Sequence, residues 1–189
     1  MDTGWVFPGT CNSFDHDADS NPDAWSNPSN IVSDNGVYAA SYNFGAPSPG
    51  TPQLLRAVNF DFSTIPGIAT IVGIDVRYEA KRVVGLGTYS DSLVKLVLNG
   101  TLIGANKGVN ANSFAGSDVV ASYGGAADLW STTPTLADVQ DPDWGAVIEF
   151  TFVSGSGFTH QIGVDYLQMR IHYTVPGSGR RKRPVGFFG

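Results

Sequence analysis

The sequence predicts an all-β protein, an antiparallel two-sheet β-sandwich of jelly-roll-like form. Runs with helical spacing of apolar residues are scarce, whereas turn-forming Gly and Pro number 23 and 11. This composition is typical of many short strands joined by turns. The stretch from Val58 to Arg82 adds a clear alternation, with Ile74, Val76, Tyr78 and Ala80 on one side and Asp75, Arg77, Glu79 and Lys81 on the other. A period of two predicts a strand with one buried and one solvated face.

The chain is expected to divide into an arm, one domain and a tail. Residues 1–30 contain five Gly and Pro residues and spaced aromatic residues, and are predicted to form an irregular N-terminal arm laid on a surface. Residues 31–175 are predicted to form the sandwich, because a chain with 42% hydrophobic residues can build one core. Residues 176–189 follow as an extended tail that has no core of its own.

Strands are predicted in chain order wherever apolar or alternating runs lie between turn residues. They are Val37–Tyr42, Leu54–Phe62, Ile74–Lys81, Leu93–Leu98, Val119–Tyr123, Ala146–Val153 and Ile162–Val175.

Four connecting segments complete this prediction. Val83–Tyr89 is expected to be a Gly-containing connector, and Gly155-Ser156-Gly157 a turn. Asn99-Gly100 predicts a two-residue hairpin into Thr101–Ile103. Within the irregular stretch 104–143, Thr135–Val139 is expected to form one helical turn.

The chain contains four tryptophans, and three of them are predicted to pack within the domain. Trp25 is expected to pack at the edge where the first strand enters. Trp130 and Trp144 are expected to be core residues rather than ligand platforms, because bulky aromatic side chains in such a loop usually close the core.

The distribution of charge and cysteine excludes several classes of protein. Positions 180–183 hold four of the eleven Lys and Arg residues, so the rest of the chain is more acidic than the net charge of −6 suggests. An acidic body repels nucleic acid, which argues against a DNA-binding face on the domain. The single cysteine, Cys11, rules out an intramolecular disulfide and a multi-cysteine zinc site. No stretch approaches the length of a membrane helix, and assembly in a cytoplasm is expected.

The tail carries the residues predicted to bind a partner: Arg180, Arg181, Lys182, Arg183, Phe187 and Phe188. Four adjacent cations can pair with phosphates or with an acidic protein groove. The two phenylalanines favour an apolar pocket, so docking on a protein explains both features. A nucleic-acid contact remains the alternative, and it predicts a salt-sensitive affinity that is lost with the tail.

Candidate chemical sites are few. Asp15, Asp17 and Asp19 place oxygen ligands at alternate positions, as in the first half of a calcium loop. Ser20 and Ser26 replace the Gly and Glu that the second half requires, so a solvated turn is favoured and a calcium site stays open.

No catalytic, cofactor or metal residue is assigned, because no nucleophile elbow, phosphate loop or paired histidine motif occurs. Asp75 and Glu79 are interpreted as solvated residues of the sheet, and Asp165 as a hydrogen-bonded structural carboxylate. The protein is therefore expected not to be an enzyme.

An ordered set of motifs gives the chain a family resemblance over roughly residues 25–175. The motifs are W-S-N-P-S-N, S-D-N-G-V-Y-A, N-F-D-F-S-T-I-P-G-I-A-T-I-V-G-I-D-V, Y-G-G-A-A-D-L-W, D-P-D-W-G-A-V-I and V-D-Y-L-Q-M-R-I-H-Y. This set resembles small β-sandwich virion structural proteins of tailed bacteriophages and prophages. The resemblance implies a head-decoration, neck or tail-associated protein, located in the virion after assembly in the host cytoplasm.

The same resemblance implies partners among other virion proteins, such as the major capsid protein or neck and tail proteins. It also implies a homo-oligomer, for instance a trimer, because such proteins follow the symmetry of the particle. The alternative function is a carbohydrate-binding or host-receptor-binding module on the same fold. The solvated strand faces hold Asp75, Arg77, Glu79 and Lys81 without an aromatic row, which counts against that alternative.

Overall fold

The computed structural model describes residues 1–15, 24–41, 53–110 and 112–177, with no side-chain description for 156–158. The described residues form seven strands, one short helix and one 3₁₀ turn at Pro28–Ile31. The elements are β1 (Pro8–Phe14), β2 (Ala39–Ala40), β3 (Leu54–Phe60), β4 (Thr70–Leu98), β5 (Thr101–Ile103), β6 (Val119–Gly125), α1 (Leu136–Val139) and β7 (Gly145–Thr174).

Two very long antiparallel strands, β4 and β7, form the centre of the molecule. They pair from Thr70 opposite Thr174 to Val97 opposite Gly145, with six register shifts on the way. Such β-bulges bend and twist a ladder, so the long pair curls instead of extending flat.

The expected connector at Val83–Tyr89 and the expected turn at 155–157 are therefore wrong, because both segments continue a strand. Glycine was the misleading signal. Gly85 has a φ of +81° and lies against the backbone of Thr159, too close for a Cβ atom. In this ladder glycine permits two backbones to approach each other, and it does not end the strand.

Each half of the long pair has its own neighbours. Residues 70–82 of β4 pair with 162–174 of β7 and, on their other side, with β6. In the other half, β4 also pairs with β5, and β7 also pairs with β3, which in turn pairs with β1. The all-β, antiparallel prediction is confirmed, and the strands form one curled, half-barrel-like sheet.

Several local predictions are also confirmed. Asn99 and Gly100 have φ values of 50° and 74° and join β4 to β5, as expected for a hairpin turn with positive φ at both positions. Thr135 caps α1 in a reciprocal pair with Asp138. The prediction of an irregular arm over residues 1–30 is wrong in part, because β1 pairs with β3 from Pro8 to Phe14 as a strand at the sheet edge.

One side of the sheet holds the larger of two hydrophobic core clusters. Tyr78, Phe114 and Phe150 make edge or tilted ring contacts there with centroids 5.3–5.9 Å apart. Trp25 is 5% exposed and contacts Phe150, as a packing residue should. Aromatic side chains from distant segments thus interlock in this cluster.

Candidate functional site

The strongest candidate site lies on the side of the sheet opposite this cluster, which we call the outer face. Residues directly opposite each other in an antiparallel pair project to the same side. Asp75 lies opposite Arg170, Arg77 opposite Gln168 and Glu79 opposite Tyr166, so these side chains share the outer face. Their neighbours Ile74, Val76, Tyr78 and Ala80 are fully buried in the core.

The first seven residues of the predicted N-terminal segment, called the arm from here on, lie beside this face along the edge of β7 that does not pair with β4. Val6 and Met169 exchange two backbone hydrogen bonds of 2.9 and 3.0 Å. The Thr3 amide donates to the Ile171 carbonyl at 3.1 Å, and the Met1 ammonium donates to the Tyr173 carbonyl at 3.0 Å. The arm is thus an added strand-like segment bound to the surface of its own domain.

Trp5 anchors this arm through two arginines. The guanidinium carbons of Arg77 and Arg170 lie 4.3 and 4.6 Å from the centre of the indole ring. Both cations are held by a second contact, Arg77 Nε to Gln168 Oε1 at 2.8 Å and Arg170 to Asp75 at 2.6 Å. Fixed guanidinium groups make favourable cation–π partners, since little rotamer freedom remains to be lost.

Asp75 is the anionic centre beneath the arm. Its Oδ2 accepts from Arg170 Nε at 2.8 Å and lies 2.8 Å from His172 Nε2. Asp75 is only 7% exposed. Its interpretation as an ordinary solvated residue is wrong, because the alternation cannot reveal that the arm covers this part of the strand.

The arm and the segment before β2 add aromatic rings to the outer face. Phe7 meets Tyr166 edge-on, with ring centres 6.3 Å apart. Tyr38 donates to Asp118 at 2.6 Å and lies under the Lys81 ammonium, 4.3 Å from its ring centre. The strand residues alone gave no aromatic row, so this part of the face was missed by sequence reasoning.

Asp165 is structural, as predicted. It is 1% exposed, and its two oxygens accept from the Gly36 amide at 3.0 and 3.1 Å. This contact ties the Asp34-Asn35-Gly36 turn to β7. A buried carboxylate that accepts from a backbone donor fixes the conformation of the turn.

A second buried carboxylate, Asp91, was missed. It is fully buried and accepts from Tyr78 at 2.7 Å, from Asn112 at 2.8 Å and from the Tyr123 hydroxyl. Burial and the adjacent Asp91 raise the pKa of Tyr78 well above its usual range. Its alternation with buried Tyr89 is the signal that could have placed Asp91 inside.

Cys11 is partly buried and His160 is buried. Burial raises the pKa of the Cys11 thiol to about 12, so the reactive thiolate is disfavoured. His160 is 3% exposed and stacks on Phe152 at 4.6 Å. Among the residues that the structure describes, no group of three His, Cys, Asp or Glu is arranged to hold a metal ion.

Two of the other predicted residues lie in the core. Trp130 and Trp144 are fully buried, which confirms them as core residues. Asp15 is exposed, whereas Asp17 and Asp19 lie outside the described residues. The predicted partner-binding residues Arg180–Arg183, Phe187 and Phe188 also lie outside them, so their role stays a prediction.

Comparison with known proteins gives no relative. No family model, curated protein or solved structure matches the chain. No helix in the described part of the chain is long and apolar enough to cross a membrane. The function must therefore be argued from the arrangement of these side chains.

Proposed function

We propose that the chain is a non-enzymatic structural protein of a tailed bacteriophage virion, a head-decoration protein or a neck- or tail-associated protein. The observation that carries this proposal is that its buried carboxylates bind the chain's own donors. Asp75 holds the outer face, Asp91 the core and Asp165 a turn. Such an arrangement favours a scaffold that presents surfaces over one that converts a substrate.

The motifs behind the phage resemblance coincide with structural determinants of the scaffold. Trp25 and Trp130 are buried, and Gly124, in the Y-G-G motif, has a φ of +89° beside the carbonyl of Ile74. The final motif, V-D-Y-L-Q-M-R-I-H-Y, supplies the half of β7 that binds the N-terminal arm. A two-sheet, jelly-roll-like sandwich is the finer fold that we propose, supported by the change of neighbours midway along β4 and β7.

The proposal is tested by locating the protein in particles. Virions of the phage or induced prophage that encodes this sequence should be purified on a density gradient and analysed by quantitative mass spectrometry. A fixed ratio to the major capsid or neck proteins is expected across independent preparations. Recovery only in the soluble fraction of the lysate, with none in the particles, would show that the protein has another role.

A second candidate, a carbohydrate- or receptor-binding module, is favoured by one observation. The N-terminal arm places Trp5 and Phe7 on the outer face beside Tyr166, and sugar-binding sheets commonly use such aromatic residues. Glycan-array binding that disappears in Trp5→Ala but persists in Phe14→Ala would support this function. Trp130 and Trp144 are unsuitable targets for that test because both are fully buried.

A further inference from the structure

Part of the outer face carries exposed apolar side chains that no described element covers. Val120 of β6 lies opposite Glu79, Glu79 lies opposite Tyr166, and Tyr166 bridges to Val32. Val120 and Val32 are 49% and 37% exposed, and nearby Val37 is 51% exposed. These three valines, together with the neighbouring carboxylates Glu79, Asp118 and Asp34, are called the valine–carboxylate face. Exposed apolar side chains rimmed by polar residues mark interaction sites.

The charge of this face is negative and only partly balanced. Burial first, and then the neighbouring Asp118, Asp165 and Asp34, raise the pKa of Glu79. Lys81 lies among them but pairs with Asp118 at 3.1 Å. Glu79 itself forms no ion pair or hydrogen bond with any residue that the structure describes. A cationic partner here would relieve repulsion between carboxylates, which makes its binding favourable.

We propose that the valine–carboxylate face binds the C-terminal segment 178–189 of a second copy of the chain. In this contact Arg180–Arg183 pair with the carboxylates, and Phe187 and Phe188 cover the exposed valines. The segment is the one part of the sequence with four adjacent cations followed closely by two aromatic residues. The inference rests on the proposed assembly role, because it names a partner for the tail within that role.

Distances favour a second copy over the chain's own face. Tyr166 lies eight residues before Thr174, which is about 26 Å along β7. Arg180 lies six residues beyond Thr174 and reaches at most about 21 Å from it, even when extended. Arg183 reaches about 31 Å. The same chain could therefore bring only its last cations to the face, and then only when nearly fully extended.

The reach within the segment fits the face of a partner. From Arg183 to Phe187 an extended chain spans about 14 Å. The row from Val120 to Val32 crosses three strand intervals, also about 14 Å. Cations bound at Glu79 consequently leave the phenylalanines within reach of either valine.

Sedimentation velocity with full-length proteins tests the proposal. The tail variant replaces Arg180, Arg181, Lys182 and Arg183 by Gln, and the face variant is Glu79→Lys. Asp143→Lys is the matched control, because it makes the same charge change at an exposed site on the loop before β7. Circular dichroism checks that each variant keeps the wild-type fold.

Wild-type protein should self-associate at low salt and dissociate as salt rises, since the contact is largely electrostatic. Each variant alone should associate at least about tenfold more weakly. The control should match the wild type. An equimolar mixture of the two variants should form mixed dimers, because the intact tail of one meets the intact face of the other.

Three results would overturn the proposal. The first is a wild type that stays monomeric at about 100 μM, well above the Kd range of a specific contact. The second is a control that associates as weakly as the face variant. The third is a mixture of the two variants that stays monomeric. Binding of duplex DNA by a tail-dependent contact, without self-association, would assign the tail to nucleic acid instead. Absence of the protein from virions would remove the proposed function but leave a positive mixing result standing.

Discussion

Replacing Trp5 by Ala should release the N-terminal arm without unfolding the domain. Each contact between the indole and a guanidinium, at 4.3 and 4.6 Å, contributes about 0.5–1 kcal/mol at a partly exposed site. Partial burial of the apolar ring adds about 1 kcal/mol. Losing about 2 kcal/mol shifts the opening equilibrium of the arm about 30-fold.

Amide hydrogen exchange measured by NMR gives this effect a residue-specific readout. The amides of Met169 and Tyr173 donate to carbonyls of the arm, and that of Ile171 donates to the Thr3 hydroxyl. These three amides should exchange about 30-fold faster in Trp5→Ala, as expected for local opening. The alternate amides of Gln168 and Arg170 point to β4 and should keep their protection.

A matched control separates the loss of the arm from the loss of any aromatic–cation contact. Phe14 lies 5.0 Å from the guanidinium carbon of Arg56, at the other edge of the sheet. Phe14→Ala should leave the exchange of Met169 unchanged. Equal acceleration of all β7 amides in Trp5→Ala, or of none, would refute the reasoning that Trp5 anchors the arm.

Three further substitutions test other parts of the structure by urea denaturation. Asp91→Ala leaves buried hydroxyl and amide donors unpaired and should lower the free energy of unfolding by about 3 kcal/mol or more. Glu79→Gln should stabilise the fold slightly at neutral pH, because burial and nearby carboxylates raise the pKa of Glu79 and so disfavour its ionised form when folded. That gain should vanish as the pH falls to about 3.5, where Glu79 is protonated in both states. Gly124→Ala should cost about 3 kcal/mol, because a Cβ atom at a φ of +89° would overlap the carbonyl of Ile74.

Two of these substitutions, Asp91→Ala and Gly124→Ala, have a matched control in the same chain. Asp143→Ala removes an exposed carboxylate and should change stability by less than about 0.5 kcal/mol. Gly100→Ala, at a φ of +74° in open space, should cost only about 1 kcal/mol from backbone strain. A Gly124→Ala protein as stable as Gly100→Ala would contradict the close approach. A stability gain of Glu79→Gln over the wild type that is larger at acid pH than at neutral pH would contradict the inferred charge effect.

The local features of the fold could be predicted from the sequence. The alternation from Ile74 to Lys81, the Asn99-Gly100 hairpin and the Thr135 helix cap depend on neighbouring residues alone. Backbone sterics and side-chain periodicity act over this short range. The burial of Trp130 and Trp144 was predictable too, because large aromatic residues seldom remain exposed in a single domain.

The candidate site could not be predicted in this way, because its parts meet only in the folded chain. Trp5 lies far along the sequence from Arg77 and Arg170, and the arm that carries Trp5 turns the expected solvated position of Asp75 into a buried one. Glycines 85 and 87 suggested a break in the strand, yet they permit the long ladder to continue where neighbouring backbones approach closely. The sequence by itself determined an all-β chain with one buried strand face. Tertiary structure decided which charges became buried, because burial depends on what distant segments cover.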